Sequence, residues 1–299
     1  MTIFLFPGQG AQHRGMGQAF AEAFPEARHT FEEANDHLGW DLTRQVFYGT
    51  DEELQQTKVC QLAIYVTGMA IARCLQEIKP VAAAGLSLGE YTALTLAGAF
   101  SFAEGLTLVK ARGRWMHEVC ETFPGTMAVV MGLDEKNIQD IVATLPGTLW
   151  AANFNCPGQI VLSGTRAGVE KGSELALERG AKRVIPLAVH GAFHSGLMQQ
   201  AGERMAELIE ATALKLPSIP VPLNVSGQPA SDLPSLKKQM IQQVTHAVRW
   251  EEDVRFLMPL AKRFIEIGPG TTLSGMNRRI GVSVPTLSIE TPADLETLA

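Results

Sequence analysis

Short apolar runs that end at glycine or proline alternate along this chain with longer stretches of helical spacing. Ile3 to Phe6 reads as a buried strand stopped by Pro7, and Glu22 to Leu38 carries a helical pattern. Gln55 to Ile78 is a longer, mostly apolar helical region. It leads into Val81-Ala-Ala-Ala-Gly-Leu-Ser-Leu-Gly-Glu-Tyr-Thr-Ala-Leu94, an apolar run that tightens through Gly85 and Gly89 and opens a helix at Glu90. Ser101-Phe-Ala-Glu104 matches a capping box, and the helix it starts runs to about Val119.

Beyond Phe123-Pro-Gly125 the pattern changes. Met127 to Leu133 is strand-like, Glu135 to Leu145 helical, Leu149 to Phe154 and Gln159 to Ser163 strands about the turn Asn155-Cys-Pro-Gly158. Arg166 to Arg179 is helical and Arg183 to Leu187 a last strand, which completes the β-α-β-β-α-β order of a ferredoxin-like unit. Residues 125–189 are therefore expected to form a small inserted subdomain. The chain returns through Val189-His-Gly-Ala-Phe-His-Ser195 and a helix to about Ala213. A proline-rich connector from Pro217 to Pro222 precedes a short strand at Leu223 to Val225. Helices at Ser235 to Val244 and Trp250 to Ala261, a strand at Arg263 to Ile267 and a final helix beyond Gly268-Pro-Gly270 through Arg279 follow. Such alternation predicts an α/β core of mostly parallel strands, built from residues 1–124 and 190–299.

Composition narrows the function classes. The 299 residues carry a net charge of -6 and an apolar share of 46%, enough for a substantial core. An acidic chain argues against nucleic-acid or membrane-surface binding, whose footprint is basic. The four cysteines show no C-x-x-C spacing, which suggests reduced thiols in a reducing compartment. The start, Met1 to Pro7, has neither a basic lead nor a long apolar region, so no export signal is expected and the protein is read as cytoplasmic.

Strand, Gly85-Leu-Ser-Leu-Gly89 and helix, in that order, make the pattern of a nucleophile elbow. The glycines let strand and helix pass closely while Ser87 sits on a strained turn at a helix N-terminus, where developing negative charge is favoured. The pentapeptide alone fits a chemically unimportant serine-glycine turn equally well. A serine needs a base within hydrogen-bond reach. Among seven histidines, His194 lies in a loop of small residues just ahead of a helix. His190 stands four residues earlier, but Gly191-Ala-Phe193 supplies no glutamate and opens with a helix breaker, so no metal site is expected. Cys156, a rival nucleophile, has no activating charge beside it in sequence. The loop Gly8-Gln-Gly-Ala-Gln-His13 lacks the third glycine of a dinucleotide fingerprint, which falls at His13. It reads better as a loop whose backbone approaches something closely, with Gln9 the candidate. Arg112 and Arg114 lie about 200° apart around their helix, so they cannot both face one pocket.

Seven motifs appear in order: Pro7-Gly-Gln-Gly-Ala-Gln12, Gly85-Leu-Ser-Leu-Gly-Glu90, Lys110-Ala-Arg-Gly-Arg114, Asn153-Phe-Asn-Cys-Pro-Gly-Gln159, Ala192-Phe-His-Ser195, Val248-Arg-Trp250 and Glu266-Ile-Gly-Pro-Gly270. Together, over essentially the whole chain, they resemble the malonyl-CoA:acyl carrier protein transacylases of fatty-acid synthesis. The resemblance implies a hydrolase-like α/β core with a ferredoxin-like insert. It implies Ser87 as nucleophile, His194 as base and Arg112 as the clamp for the malonyl carboxylate. Gln9 and Leu88 would supply oxyanion-hole N–H groups, and Gln243 would orient His194 through its backbone carbonyl. Leu86 departs from the histidine that many relatives have there, a change bearing on fine substrate control.

The implied reaction is ping-pong, through a malonyl-serine ester, with malonyl-CoA and an acidic, phosphopantetheinylated acyl carrier protein as partners. It needs no metal or redox cofactor, and a monomer is expected. Lys182-Arg183 and Arg278-Arg279 are the candidate basic patches for the carrier. A serine esterase or thioesterase would use the same elbow, but its acid normally falls between serine and histidine in sequence. The acids of that interval lie mostly in the insert or on helix surfaces. A stand-alone acyltransferase serving a polyketide synthase shares these motifs, and a non-catalytic carrier-docking module would tolerate loss of the serine or histidine.

Overall fold

The computed structural model describes residues 1–189 and 191–298 of the chain. Four parallel strands make the central sheet, in the order Thr286–Ile289, Arg263–Ile267, Thr2–Phe6, Pro80–Gly85. Helices cover both faces, so the inner strand Thr2–Phe6 runs apolar from Ile3 on rather than alternating, and Ile3, Phe4, Leu5 and Phe6 are all buried. The helix Thr57–Cys74 is buried almost all round and packs beside Phe102–Thr122. That environment explains its lack of a polar face.

The second sheet is antiparallel, ordered Leu149–Cys156, Gln159–Gly164, Thr126–Met131, Arg183–Pro186. Its helices Glu135–Ala143 and Arg166–Glu178 pack Ile138, Ile141 and Val169 against Ala128, Val130 and Leu162. Side chains alternate along each strand, so Met127, Val129 and Val161 point the other way, into a cavity shared with the core. The antiparallel sheet is tied to the segment ahead of the helix Trp250–Leu257, where Phe154 N–H donates to Val248 O at 2.8 Å and Val248 N–H donates to Ala152 O at 2.8 Å.

Several expected elements differ. Glu22 to Leu38 is not one helix: Gln18–Ala23 ends at an extended Phe24, and Pro25 begins a second helix to Leu38, as suits a residue with no N–H to give. The region from Gln55 to Ile78 is helical only over Thr57–Cys74, preceded by the short helices Leu42–Tyr48 and Asp51–Gln55. The strand expected at Leu223 to Val225 is outside the central sheet. Pro222–Leu223 pairs instead with Gln228–Pro229, and the residues between them turn. The edge strand Thr286–Ile289 carries too few residues and too mixed a pattern to be expected from sequence. His190, the discarded partner in a zinc pair, lies outside the described residues.

Candidate active site

Ser87 lies between the strand Pro80–Gly85 and the helix Leu88–Leu96. The crossing is too tight for any side chain on the flanking glycines. A Cβ on Gly85 would sit 1.8 Å from the carbonyl carbon of Gly89, and one on Gly89 would sit 2.1 Å from Phe6 O. Ser87 itself has φ 52°, and His194 has φ 56°; among the described residues these are the only non-glycine residues with positive φ. Such conformations cost about 1–3 kcal/mol each and persist only where their surroundings over-determine them. Both strained positions are ones the sequence singles out for chemistry.

The two side chains meet. Ser87 Oγ and His194 Nε2 are 2.7 Å apart, and His194 Nδ1 lies 2.8 Å from Gln243 O and 3.2 Å from His246 O. Carbonyl oxygens only accept, so Nδ1 carries the hydrogen and Nε2 presents its lone pair to the serine hydroxyl. Burial, and then the charge of Arg112, pushes His194 down to about 4. The imidazole is therefore neutral at pH 7, as a base must be. Among the described residues no carboxylate bonds its Nδ1.

Arg112 is 1% exposed. Its Nη2 donates to Ser87 Oγ at 3.1 Å and to Gln243 Oε1 at 3.0 Å, and its Nη1 donates to Gln61 Oε1 at 2.7 Å. The guanidinium lies 5.6 Å from the Tyr91 ring centroid. Arg114 faces solvent and pairs with Glu118, so the two arginines part as their spacing requires. Burial lowers the pKa of Arg112, yet guanidinium stays charged in proteins, so a fixed positive charge stands beside the serine hydroxyl.

Gln243 uses both ends: its carbonyl holds His194, and its Nε2 donates to Ser87 O at 2.8 Å. Gln9 lines the cavity with Ser87, while the Leu88 side chain is in the core and its N–H is the first of the helix. Among the described residues neither backbone N–H has an acceptor, which leaves both free for an oxyanion. Leu86 also lines the cavity. Cys156 is buried, its thiol bonded to Gln159 and pushed up by burial, the condition of an inert thiol.

The cavity holds about 250 Å³ and runs from Ser87 past Met116 and Asn155 to Gln159 and Met276. Arg279 donates to Gln159 Oε1 at 2.8 Å, and Arg278 and Arg279 are exposed, as are Lys182 and Arg183. Three groups escape a reading of the sequence. Gln61 is a polar residue inside an apolar helix, a weak but usable signal. Asn224 follows a proline-rich connector, and Asp253 sits among surface-like acids; neither has a motif to mark it.

A hydroxyl activated by a neutral imidazole, a nearby fixed cation and free N–H donors are the equipment of an acyl-transferring serine enzyme. The sequence model of the acyl transferase domain family matches residues 3–284, and the chain belongs to that family. Within the family it is similar to the malonyl CoA-acyl carrier protein transacylase of Bacillus subtilis, at 42% identity covering 98% of this chain and 94% of the relative. Among solved structures it is similar to a transacylase (MCAT) from Streptococcus pneumoniae, at 36% identity and TM-score 0.95, covering 100% of this chain and 99% of that one. It is equally similar to a malonyl-transacylase in complex with its type II PKS acyl-carrier protein, at 36% identity and TM-score 0.95, covering 99% and 98% of the two chains.

Proposed function

We propose that this protein moves the malonyl group from malonyl-CoA to the phosphopantetheine thiol of an acyl carrier protein, supplying fatty-acid synthesis. The observation that carries the reading is the double contact on one atom: Ser87 Oγ meets both His194 Nε2 and Arg112 Nη2. Nucleophile, base and a fork for a substrate carboxylate then converge within one bond of each other.

In the first half-reaction His194 Nε2 takes the Ser87 proton as Oγ bonds to the thioester carbon. Backbone N–H groups of Gln9 and Leu88 hold the oxyanion, and Arg112 holds the distal carboxylate. The C–S bond breaks, the His194 proton goes to sulfur, and CoA leaves as a thiol. The carrier's thiol repeats the sequence against the serine ester. Thioester replaces thioester, so the exchange is nearly balanced. Residues 1–124 and 190–299 act as the core holding Ser87 and His194, and residues 125–189 as a small subdomain walling the cavity.

Support against a hydrolase reading comes from His194, whose Nδ1 is held by carbonyls and not by a carboxylate. A weakly supported imidazolium suits a thiol leaving group, which departs with less proton assistance than an amine because its pKa is only about 8.5. Four free cysteines are in keeping with the cytoplasm. No described helix is long and apolar enough to cross a membrane. A polyketide synthase as the consumer is favoured by one observation, the likeness to a transacylase bound to a type II PKS carrier. Transfer assays with malonyl-CoA and either a fatty-acid or a type II polyketide carrier test the proposal. The fatty-acid carrier should be malonylated faster, with free CoA released in step. Release of free malonate at the same rate without any carrier would make the protein a thioesterase.

A further inference from the structure

Asn224 is completely buried in the turn between Pro222–Leu223 and Gln228–Pro229. Its Oδ1 accepts from Ser87 N–H at 2.7 Å, and its Nδ2 donates to Gly85 O at 2.9 Å. One side-chain amide therefore bridges the residue before the turn and the residue at its apex. The orientation is not interchangeable: Gly85 O can only accept and Ser87 N–H can only donate, so a flipped amide would break both bonds. The second Nδ2 hydrogen goes to Asp253 Oδ2 at 2.8 Å, and the Asn224 backbone N–H goes to Glu90 Oε2 at 2.6 Å. Both amide hydrogens are thus used, and every partner is remote in sequence or on the far side of the elbow.

We propose that Asn224 is a positioning residue for the nucleophilic turn, its side-chain amide bracketing Ser87 while Asp253 holds that amide and Glu90 holds the Asn224 backbone N–H. The inference rests on the reading of Ser87 as nucleophile. Ser87 at φ 52° has its carbonyl bonded by Glu90 N–H at 3.2 Å, but the helix it precedes offers its own N–H no acceptor, because N–H groups at a helix start are unpaired within the helix. An external partner must hold the turn, and Asn224 gives its N–H an acceptor and the entering strand's last carbonyl a donor. The two acids are otherwise unexplained. They are buried, and among the described residues Glu90 Oε1 and Asp253 Oδ1 have no partner. Burial pushes Glu90 up to about 7 and Asp253 well above its ordinary value. A fold does not gain stability from half-paired buried acids; orienting Asn224 gives them a use.

The test is the rate at which a fluorophosphonate labels Ser87, because that probe reads the nucleophile without needing a malonyl group. It is paired with the malonyl-CoA dissociation constant in a Ser87→Ala background and with Tm. Asn224→Ala should slow labelling and malonylation together by about 100-fold, the scale of a small misplacement of a reacting group. Malonyl-CoA binding should stay within about twofold, since loss of a transition-state contact spares ground-state binding. Asp253→Ala leaves the bracket in place but frees one side of it. It should cost about fivefold in labelling, the worth of roughly one hydrogen bond, and Asp253→Asn should restore the rate. Folded Asn224→Ala labelled at the wild-type rate would overturn the proposal, as would binding that weakens in parallel with the rate. If Asn224→Ala does not fold, an Asp253→Ala protein with wild-type labelling overturns it instead. A wild-type protein labelled at Ser87 but not malonylated would refute the substrate reading and leave this inference standing.

Discussion

Arg112→Ala is the substitution whose outcome the geometry fixes most tightly. The guanidinium is buried, bonded at one end to Gln61 and at the other to Ser87 Oγ and Gln243 Oε1. Malonyl differs from acetyl by one carboxylate, and a planar guanidinium can meet that group with two parallel hydrogen bonds. Removing one partner of such a buried pair costs about 3–5 kcal/mol, or roughly 100- to several-thousand-fold in malonyl transfer. Two further effects follow. Gln61 Oε1 and Gln243 Oε1 lose a donor, at about 1–3 kcal/mol each if left buried and unpaired, so Tm should fall. Arg112 is also the second cause holding His194 down, so the imidazole becomes more basic in the variant. Acetyl transfer, which never used the clamp, should stay level or rise. Arg112→Lys keeps the charge without the fork and should recover only part of the loss. The assay is kcat/KM with malonyl-CoA and acetyl-CoA on Arg112→Ala, with exposed Arg114→Ala in parallel. Equal losses for both thioesters, or a larger selectivity change at Arg114, would refute the reasoning.

Ser87→Ala should abolish acyl-enzyme formation and His194→Ala should cost several orders of magnitude. The double variant should be little worse than either, since groups that act as a unit are not additive, which transfer kinetics on all three would reveal. The kcat/KM of acylation should fall on the acid side with a midpoint near His194's about 4, and in Arg112→Ala that midpoint should move upward. The same depressed value affects stability: below 6.5 the unfolded chain takes up a proton that folded His194 refuses, so its contribution is full above that pH and fades toward about 4. The fall in Tm across that window should shrink in His194→Gln. Arg278→Glu should slow transfer to the carrier but spare acylation by malonyl-CoA. It is a cleaner probe than Arg279, which also holds Gln159 at the cavity. Equal effects on both half-reactions would count against docking there.

Much of this was legible from residue types alone. The elbow shows in the order strand, Gly-x-Ser-x-Gly, helix because only glycine tolerates so close a crossing at positions 85 and 89. The insert shows because its β-α-β-β-α-β rhythm is local. The opposition of Arg112 and Arg114 is helix geometry. What failed was non-local. The strand Thr286–Ile289 exists because Arg263–Ile267 offers it a parallel edge, and nothing in its own four residues says so. The stretch at Leu223 to Val225 looks like a strand, but Asn224 is taken by the elbow. Only the family resemblance implied that Gln243 offers His194 its carbonyl. That its side chain would also brace Ser87 O and Arg112 depends on side-chain direction, which no spacing encodes.

The central claim is that Ser87 carries the malonyl group between two thiols, and the intact mass of the protein after brief exposure to malonyl-CoA tests it most directly. The account predicts one added malonyl group, mapped to Ser87, absent in Ser87→Ala, slow to hydrolyse in water and discharged on adding carrier protein. No adduct, an adduct on another residue, or one lost to water as fast as it forms would contradict it.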